Sequence, residues 1–191
     1  MGRNRHKSRH TKVVDIVVDV EATGPSPMTH SMIQLGVVAS DGKEFYGTLR
    51  PLPDKQIDDE AIAACGLTLE EINEYDDPQE TMDRFFDWII ENYISEGYKV
   101  IFWSDNNGFD WAYVNGYLHY FCEHNPLGWS SRRIGDFYAG LMRKRAATAQ
   151  WKRFRVTDHT HNALDDARGN MEALVEIKKI EAMMNGDYNP E

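Results

Sequence analysis

The sequence is poor in cysteine: Cys65 and Cys122 are the only two in 191 residues. They stand far apart in unremarkable contexts, which excludes a disulfide framework and points to a reduced compartment. Neither CxxC nor HExxH occurs, so the common zinc spacings are missing. No apolar run approaches the roughly 20 residues of a membrane span. The N-terminus is basic but has no apolar stretch behind it, so a secretory leader is not expected either. Internal repeats and low-complexity tracts are absent. These absences predict a cytoplasmic chain with no membrane partner and one domain over residues 12–185, between a flexible basic tail (1–11) and a short C-terminal tail (186–191).

Positive charge is also scarce. The net charge is −10, with 21 Lys and Arg against 31 Asp and Glu. On average such a surface repels phosphates. The distribution is uneven, however. Between Asp54 and Glu91 only Lys55 and Arg84 oppose the acids, whereas basic residues crowd into "GRNRHKSRHTK" and into "RR", "RKR" and "KRFR" between Arg132 and Arg155. Two solvated faces of opposite sign would give this pattern, and so would one face turned to a polyanion.

Hydrophobic periodicity orders the chain. β-branched residues dominate 12–20 and predict a strand. After the Gly/Pro loop "TGPSPMTH", residues 31–40 and 43–50 read as strands around the Asp41-Gly42 turn. Short helices follow, one from Asp58 or Asp59 to Gly66 and one opened by a Thr68–Glu71 capping box. A third helix runs over 77–94 with Met82, Phe85, Phe86, Ile89 and Tyr93 as its core stripe. Then come a strand at 97–104, a helix at 108–124, a strand edge running into a helix over 134–144, and a long helix beginning at His161. Leu164, Ala167, Met171, Leu174 and Val175 lie along one side of that last helix. The order predicts an α/β fold with a mixed five-stranded sheet and helices on both faces. Residues 12–20 and 98–104 are the most apolar strands and are expected at its centre.

Against that apolar background, two carboxylates end the first strand. Asp19 and Glu21 in "VVDVEATG" are two apart and so project to one side. Buried unpaired, they would be costly. Solvent, a basic partner or a hard divalent cation would relieve them. Asp110 follows the apolar strand "YKVIFWS", and His161, Asp165 and Asp166 open the last helix. In open α/β sheets, ligand groups gather at the carboxyl ends of the parallel strands. "DNNGFD" is not an EF-hand loop, because its fifth position is Phe109 and its glycine is misplaced.

Three segments in order, "DVEATG", "NNGFD" and "HNALDDA", resemble the DEDDh family of 3′-to-5′ exonucleases on a ribonuclease H-like fold. "DDEAIAACGLTLEEI" is similar to a further segment of that family, and the resemblance spans about residues 13–180. It implies that Asp19, Glu21, Asp110 and Asp166 bind two Mg²⁺ or Mn²⁺ ions and that His161 is the general base. It implies release of nucleoside 5′-monophosphates from a nucleic acid with a free 3′ end. Some relatives are homodimers, so a homodimer is a further expectation. Residues five apart on a helix lie about 140° apart, so His161 is expected on the loop before the helix rather than within it. Asp165 is the geometric rival of Asp166. The family spacing selects Asp166, and Leu164 and Ala167 place Asp165 nearer the polar side. Many relatives have His where this chain has Asp105, which either adds charge near the metals or faces solvent.

The backbone around Ala22 and Thr23 resembles that which meets the terminal nucleotide in the family, and Gly24 would permit close approach. Asn106 is a further expected contact, as is Phe109 if it stacks on a base rather than packing in the core. Trp103, Trp111 and Met28 either stack on a base or pack in the core. The basic stretch 132–155 and the N-terminal tail are expected to track phosphates, with the acidic helices 58–91 facing away. Two rival functions remain at this level: a phosphodiesterase of the oligoribonuclease kind acting on dinucleotides or short oligonucleotides, and a non-catalytic nucleic-acid-binding protein on the same fold.

Overall fold

The computed structural model describes residues 12–188; the basic N-terminal segment and residues 189–191 lie outside it. Five strands form one mixed sheet in the order β3-β2-β1-β4-β5. They are β1 (Lys12–Ala22), β2 (Met32–Ala39), β3 (Glu44–Thr48), β4 (Tyr98–Ser104) and β5 (Ser131–Arg133). β1 pairs antiparallel with β2 and parallel with β4. The third to fifth strands are those expected except β5, which lies just before residues 134–144 rather than within them. β1 is central as predicted. β2 is buried along its whole length, because β3 covers its other edge and helices cover both faces.

The helices are α1 (Asp59–Ala64), α2 (Leu69–Asn73), α3 (Pro78–Ile89), α4 (Asn107–Phe121), α5 (Ile134–Leu141) and α6 (Ala163–Asn185). The capping box at Thr68 and Glu71 forms as its sequence signature requires. α3 stops at Ile89 and the chain continues as one wide π-turn, Ile90–Ile94. Val14, Ile16, Val18 and Val20 of β1 pack on one face with Phe85 and Ile89 of α3 and Val114 and Leu118 of α4. Val17 faces the other way, among Tyr138 of α5 and Ala167, Leu174 and Ile177 of α6. The period-2 alternation of β1 therefore feeds two cores. No helix among the described residues is long and apolar enough to cross a membrane.

Candidate active site

The strand alternation that buries Val18 and Val20 turns Asp19 and Glu21 to the α6 face. They stand where β1 ends, and the register shifts between Glu21 and Ala22. Such bulges re-aim side chains and are frequent beside active sites. α6 begins over the same strand end. Asn162 is its N-cap, with Oδ1 accepting from Leu164 and Asp165 N–H. Its first turn brings Asp166, fully buried, to the strand carboxylates. One oxygen each from Asp19, Glu21 and Asp166 lies within 4.8 Å of the others. Asp110, one turn into α4, stands outside that trio but adds its charge to Asp19 from the other face. It is 3% exposed, and its Oδ2 has no hydrogen-bond partner.

Crowding of like charge shows in the acidities. Burial, then Asp110, Glu21 and Asp166, holds the Asp19 carboxyl well above the ordinary range. Burial pushes Glu21 up to about 7, against a hydrogen bond from Cys65. Burial raises Asp110 to about 8, although the Ser104 hydroxyl and the Val20 N–H pull it down. Asp166 goes the other way: burial raises it, but hydrogen bonds from His159 and Arg155 more than reverse that.

His161 precedes the helix, as its spacing from Asp166 required, in left-handed backbone with φ of 57°. Its Nδ1 is 3.9 Å from Glu21 Oε1, and its side chain is 44% exposed. Its backbone N–H donates to Asp166 Oδ2 at 3.1 Å. Asp165 points away and pairs with Arg168 at 2.9 Å, so the first turn of α6 separates the two aspartates as anticipated.

The expected substrate residues divide. Ala22, Gly24, Phe109 and His161 line one cleft of about 740 Å³ together with Glu21. Thr23 does not offer its N–H, which donates to Ser31 O at 2.8 Å. Its hydroxyl is also engaged, donating to Gln56 O and accepting from Ser31 N–H. Gly24 is required by packing, because a Cβ there would stand 2.2 Å from the His30 ring. Asn106 is exposed and its carbonyl starts α4, and it is not among the residues that line this cleft. Trp103 is core and Trp111 packs half-buried against Phe102, whereas Met28 is 81% exposed.

One charge expectation is corrected and two are refined. α1 does not face away: Asp58, Asp59 and Glu60 line the cleft, because Asp58 N–H bonds Thr23 O and draws the helix onto the loop after β1. The basic stretch 132–155 divides: Arg143, Lys144 and Arg145 are exposed and open to a polyanion, whereas others are engaged. Arg155 is buried on Asp166, Arg153 stacks on Phe154 and bonds the Tyr138 hydroxyl, and Arg132 lies over the Trp103 ring. Asp105 is half-buried and paired with Lys152 at 2.6 Å, and its charge adds to the rise of Asp110, the first of its two expected roles.

Four residues at the centre had no signal in the motifs. Cys65 donates to Glu21 Oε2 at 3.2 Å, and its thiol is pushed up to about 12 by burial and Glu21. His159 Nδ1 stands 2.6 Å from Asp166 Oδ2. Gln34 and Gly36 of β2 lie opposite Glu21 and Asp19 and receive the start of α6. Only the H-x-H spacing of His159 and His161 was open to notice in the sequence.

Comparison with known proteins agrees with this geometry. The family model described as an exonuclease matches residues 16–174. A 3′-5′ DNA exonuclease of Escherichia coli, Cap18, is 31% identical over 185 residues, spanning 90% of this chain and 95% of that one. The nuclease domain of 3′hExo, a DEDDh family member solved with rAMP, superposes with a TM-score of 0.69 at 17% identity, covering 94% of this chain and 96% of that one. E. coli Exonuclease I in complex with a dT13 oligonucleotide superposes with a TM-score of 0.67 at 15% identity over 91% of this chain and 43% of that one. The chain belongs to the exonuclease family, as a 3′-5′ exonuclease of the DEDDh type.

Proposed function

We propose that the protein hydrolyses phosphodiester bonds from the 3′ end of single-stranded nucleic acid, releasing nucleoside 5′-monophosphates. In this reading Asp19, Glu21, Asp110 and Asp166 hold two divalent cations, Mg²⁺ or Mn²⁺, and His161 is the general base. The observation that carries it is the convergence of Asp19, Glu21 and Asp166 from β1 and α6 on one strand end, with Asp110 of α4 buried near enough to raise the Asp19 carboxyl and one of its oxygens unpartnered. An orphaned buried oxygen among like charges fits a hard cation better than solvent or a basic side chain.

Such ions, when bound, supply charge neutralisation at the attacking and leaving oxygens of an in-line displacement. The chain supplies the rest. The β1–α6 junction fixes the carboxylates before substrate arrives, which removes reorganisation from the reaction. His161 sits at the rim, exposed enough to meet water, and histidine is the side chain suited to taking a proton near neutral pH. Ala22, Gly24 and Phe109 shape the cleft wall where the terminal nucleotide docks.

DNA is the substrate supported by the likeness to Cap18. One observation favours short substrates as a second reading. The cleft wall carries Asp58, Asp59 and Glu60, and Lys152 and Arg155 are paired with Asp105 and Asp166, so the cleft itself offers little positive charge to a long polyanion. The deciding experiment incubates end-labelled ssDNA, ssRNA and dinucleotides with Mg²⁺, Mn²⁺ or EDTA. The reading expects stepwise loss from the 3′ end that stops in EDTA. Internal cuts, or turnover that survives EDTA, would overturn it.

A further inference from the structure

A fixed cation is already built into the acidic centre. Arg155 Nη2 donates to Asp166 Oδ1 at 2.8 Å, and the side chains are 10% and 1% exposed. The guanidinium is held on every side. Nη1 donates to Asn170 Oδ1 at 3.2 Å, and Nε and Nη2 reach the carbonyls of Thr157 and Asp158 at 3.4 Å. Gly169 leaves it room, since a Cβ there would stand 2.5 Å from Nε. Glu172 in turn clamps the loop that carries it, accepting from Val156 N–H, Thr157 N–H and the Thr157 hydroxyl at 2.7 to 2.8 Å. His159, the other cation-capable neighbour, stands 2.6 Å from Asp166 Oδ2 but is 55% exposed, whereas Arg155 is enclosed.

We propose that Arg155 is the resident counter-cation of this centre and makes uptake of the second divalent ion depend on the substrate phosphate. The inference rests on the four-carboxylate metal reading above. Four ionised carboxylates and one guanidinium leave three negative charges. One divalent ion is taken up against that excess. A second leaves the centre one positive charge over neutral in a dry site, where unbalanced charge is costly. A phosphodiester brings the missing negative charge. Without Arg155 the same carboxylates reach neutrality with two ions and no substrate. The effect of Arg155 extends beyond its partner, because its charge also pulls the Asp19 carboxyl downwards against burial. Its role is positioning and electrostatic balance; it is not placed on the reacting atoms.

The test counts Mn²⁺ on the full chain at about pH 8, by calorimetry and by electron paramagnetic resonance of free Mn²⁺, with and without dTMP as the phosphate probe. The wild type is expected to take one ion alone and a second only with dTMP. Arg155→Gln is expected to take two without dTMP, with the second bound about tenfold or more tighter than in the wild type. Arg155→Met, which keeps an apolar stem against Gly169, serves if the glutamine variant does not fold. Arg155→Lys keeps the charge and should count like the wild type. If wild type and Arg155→Gln both bind two ions equally well without dTMP, or Arg155→Lys counts like Arg155→Gln, the inference fails while the metal reading stands. No Mn²⁺ on the wild type in either condition would overturn the metal reading and this inference with it.

Discussion

Gln34 accepts the backbone N–H of Ala163 through Oε1 at 3.1 Å, and this bond ties β2 to the first residue of α6. Gln34 stands opposite Glu21 in the β1–β2 register, and Gly36 stands opposite Asp19. A Cβ on Gly36 would lie 2.1 Å from the Ala163 carbonyl oxygen and 2.4 Å from Leu164 N. The two strand carboxylates thus face the two β2 residues that seat the helix bearing Asp166. Distance within the centre is set by backbone contact, with no side chain able to rotate out of the way.

Gly36→Ala should therefore lift the start of α6 off the sheet. Overpacking of this kind costs about 1–3 kcal/mol, and a displacement near 1 Å at reacting groups costs about 10²-fold in rate. Urea unfolding should show the loss of stability, and single-turnover rates on a short oligonucleotide the loss of activity. A variant with wild-type rates would show that the seat tolerates a methyl group and that the centre is not fixed this way.

The two neighbouring aspartates make the sharpest contrast. Asp166→Asn should lower kcat by at least the ~10²–10³ that loss of one preorganised electrostatic group costs. Asp165→Ala should stay within about threefold of wild type and lose well under 1 kcal/mol, because its partner Arg168 is an exposed ion pair. The reverse order of effects in the same assay would move the ligand role to Asp165.

His161 calls for a substitution chosen by backbone as well as chemistry. At φ of 57° a β-branched residue is strained, whereas asparagine tolerates the left-handed region. His161→Asn should keep the wild-type melting temperature and lose roughly 10²–10⁴ of kcat, the usual range for a general base. His161→Val should lose both. If the asparagine variant retains full kcat across pH, proton transfer is done by another group.

The layers of the fold followed from periodicity, since β1 and α3 repeat at the spacing of the surfaces they bury. The four carboxylates and His161 were readable because each sits at a strand end or helix start, where local sequence dictates local geometry. Arg155 was misread as surface charge. Its partner is eleven residues on in α6, and only the tertiary fold and the absent side chain of Gly169 bring the two together. Gly36 and Gln34 gave no sign for the same reason: their task is defined by a contact with Ala163, well over a hundred residues away. The acidic wall of α1 was missed because charge runs report exposure and not direction.

The last prediction concerns pH and the metal-free protein. The folded state raises the pKa values of Asp19, Glu21 and Asp110, so it binds more protons than the unfolded chain above the ordinary carboxyl range. Stability then falls as pH rises through the folded values, which reach about 7 for Glu21 and about 8 for Asp110. Glu21 alone contributes a loss on the order of 3 kcal/mol between about pH 4.5 and pH 8. Asp166 acts oppositely, its contribution being lost only as pH falls below the carboxylate range. In EDTA, urea midpoints should therefore drop from about pH 5 to about pH 8. Saturating Mn²⁺ should cancel or invert that slope, because ion binding needs the carboxylates ionised and stabilises only the folded state. Asp110→Asn, which keeps the shape and removes one titrating charge, should flatten the EDTA slope. A midpoint that rises with pH in EDTA would show that the carboxylates are not held against one another in the folded protein.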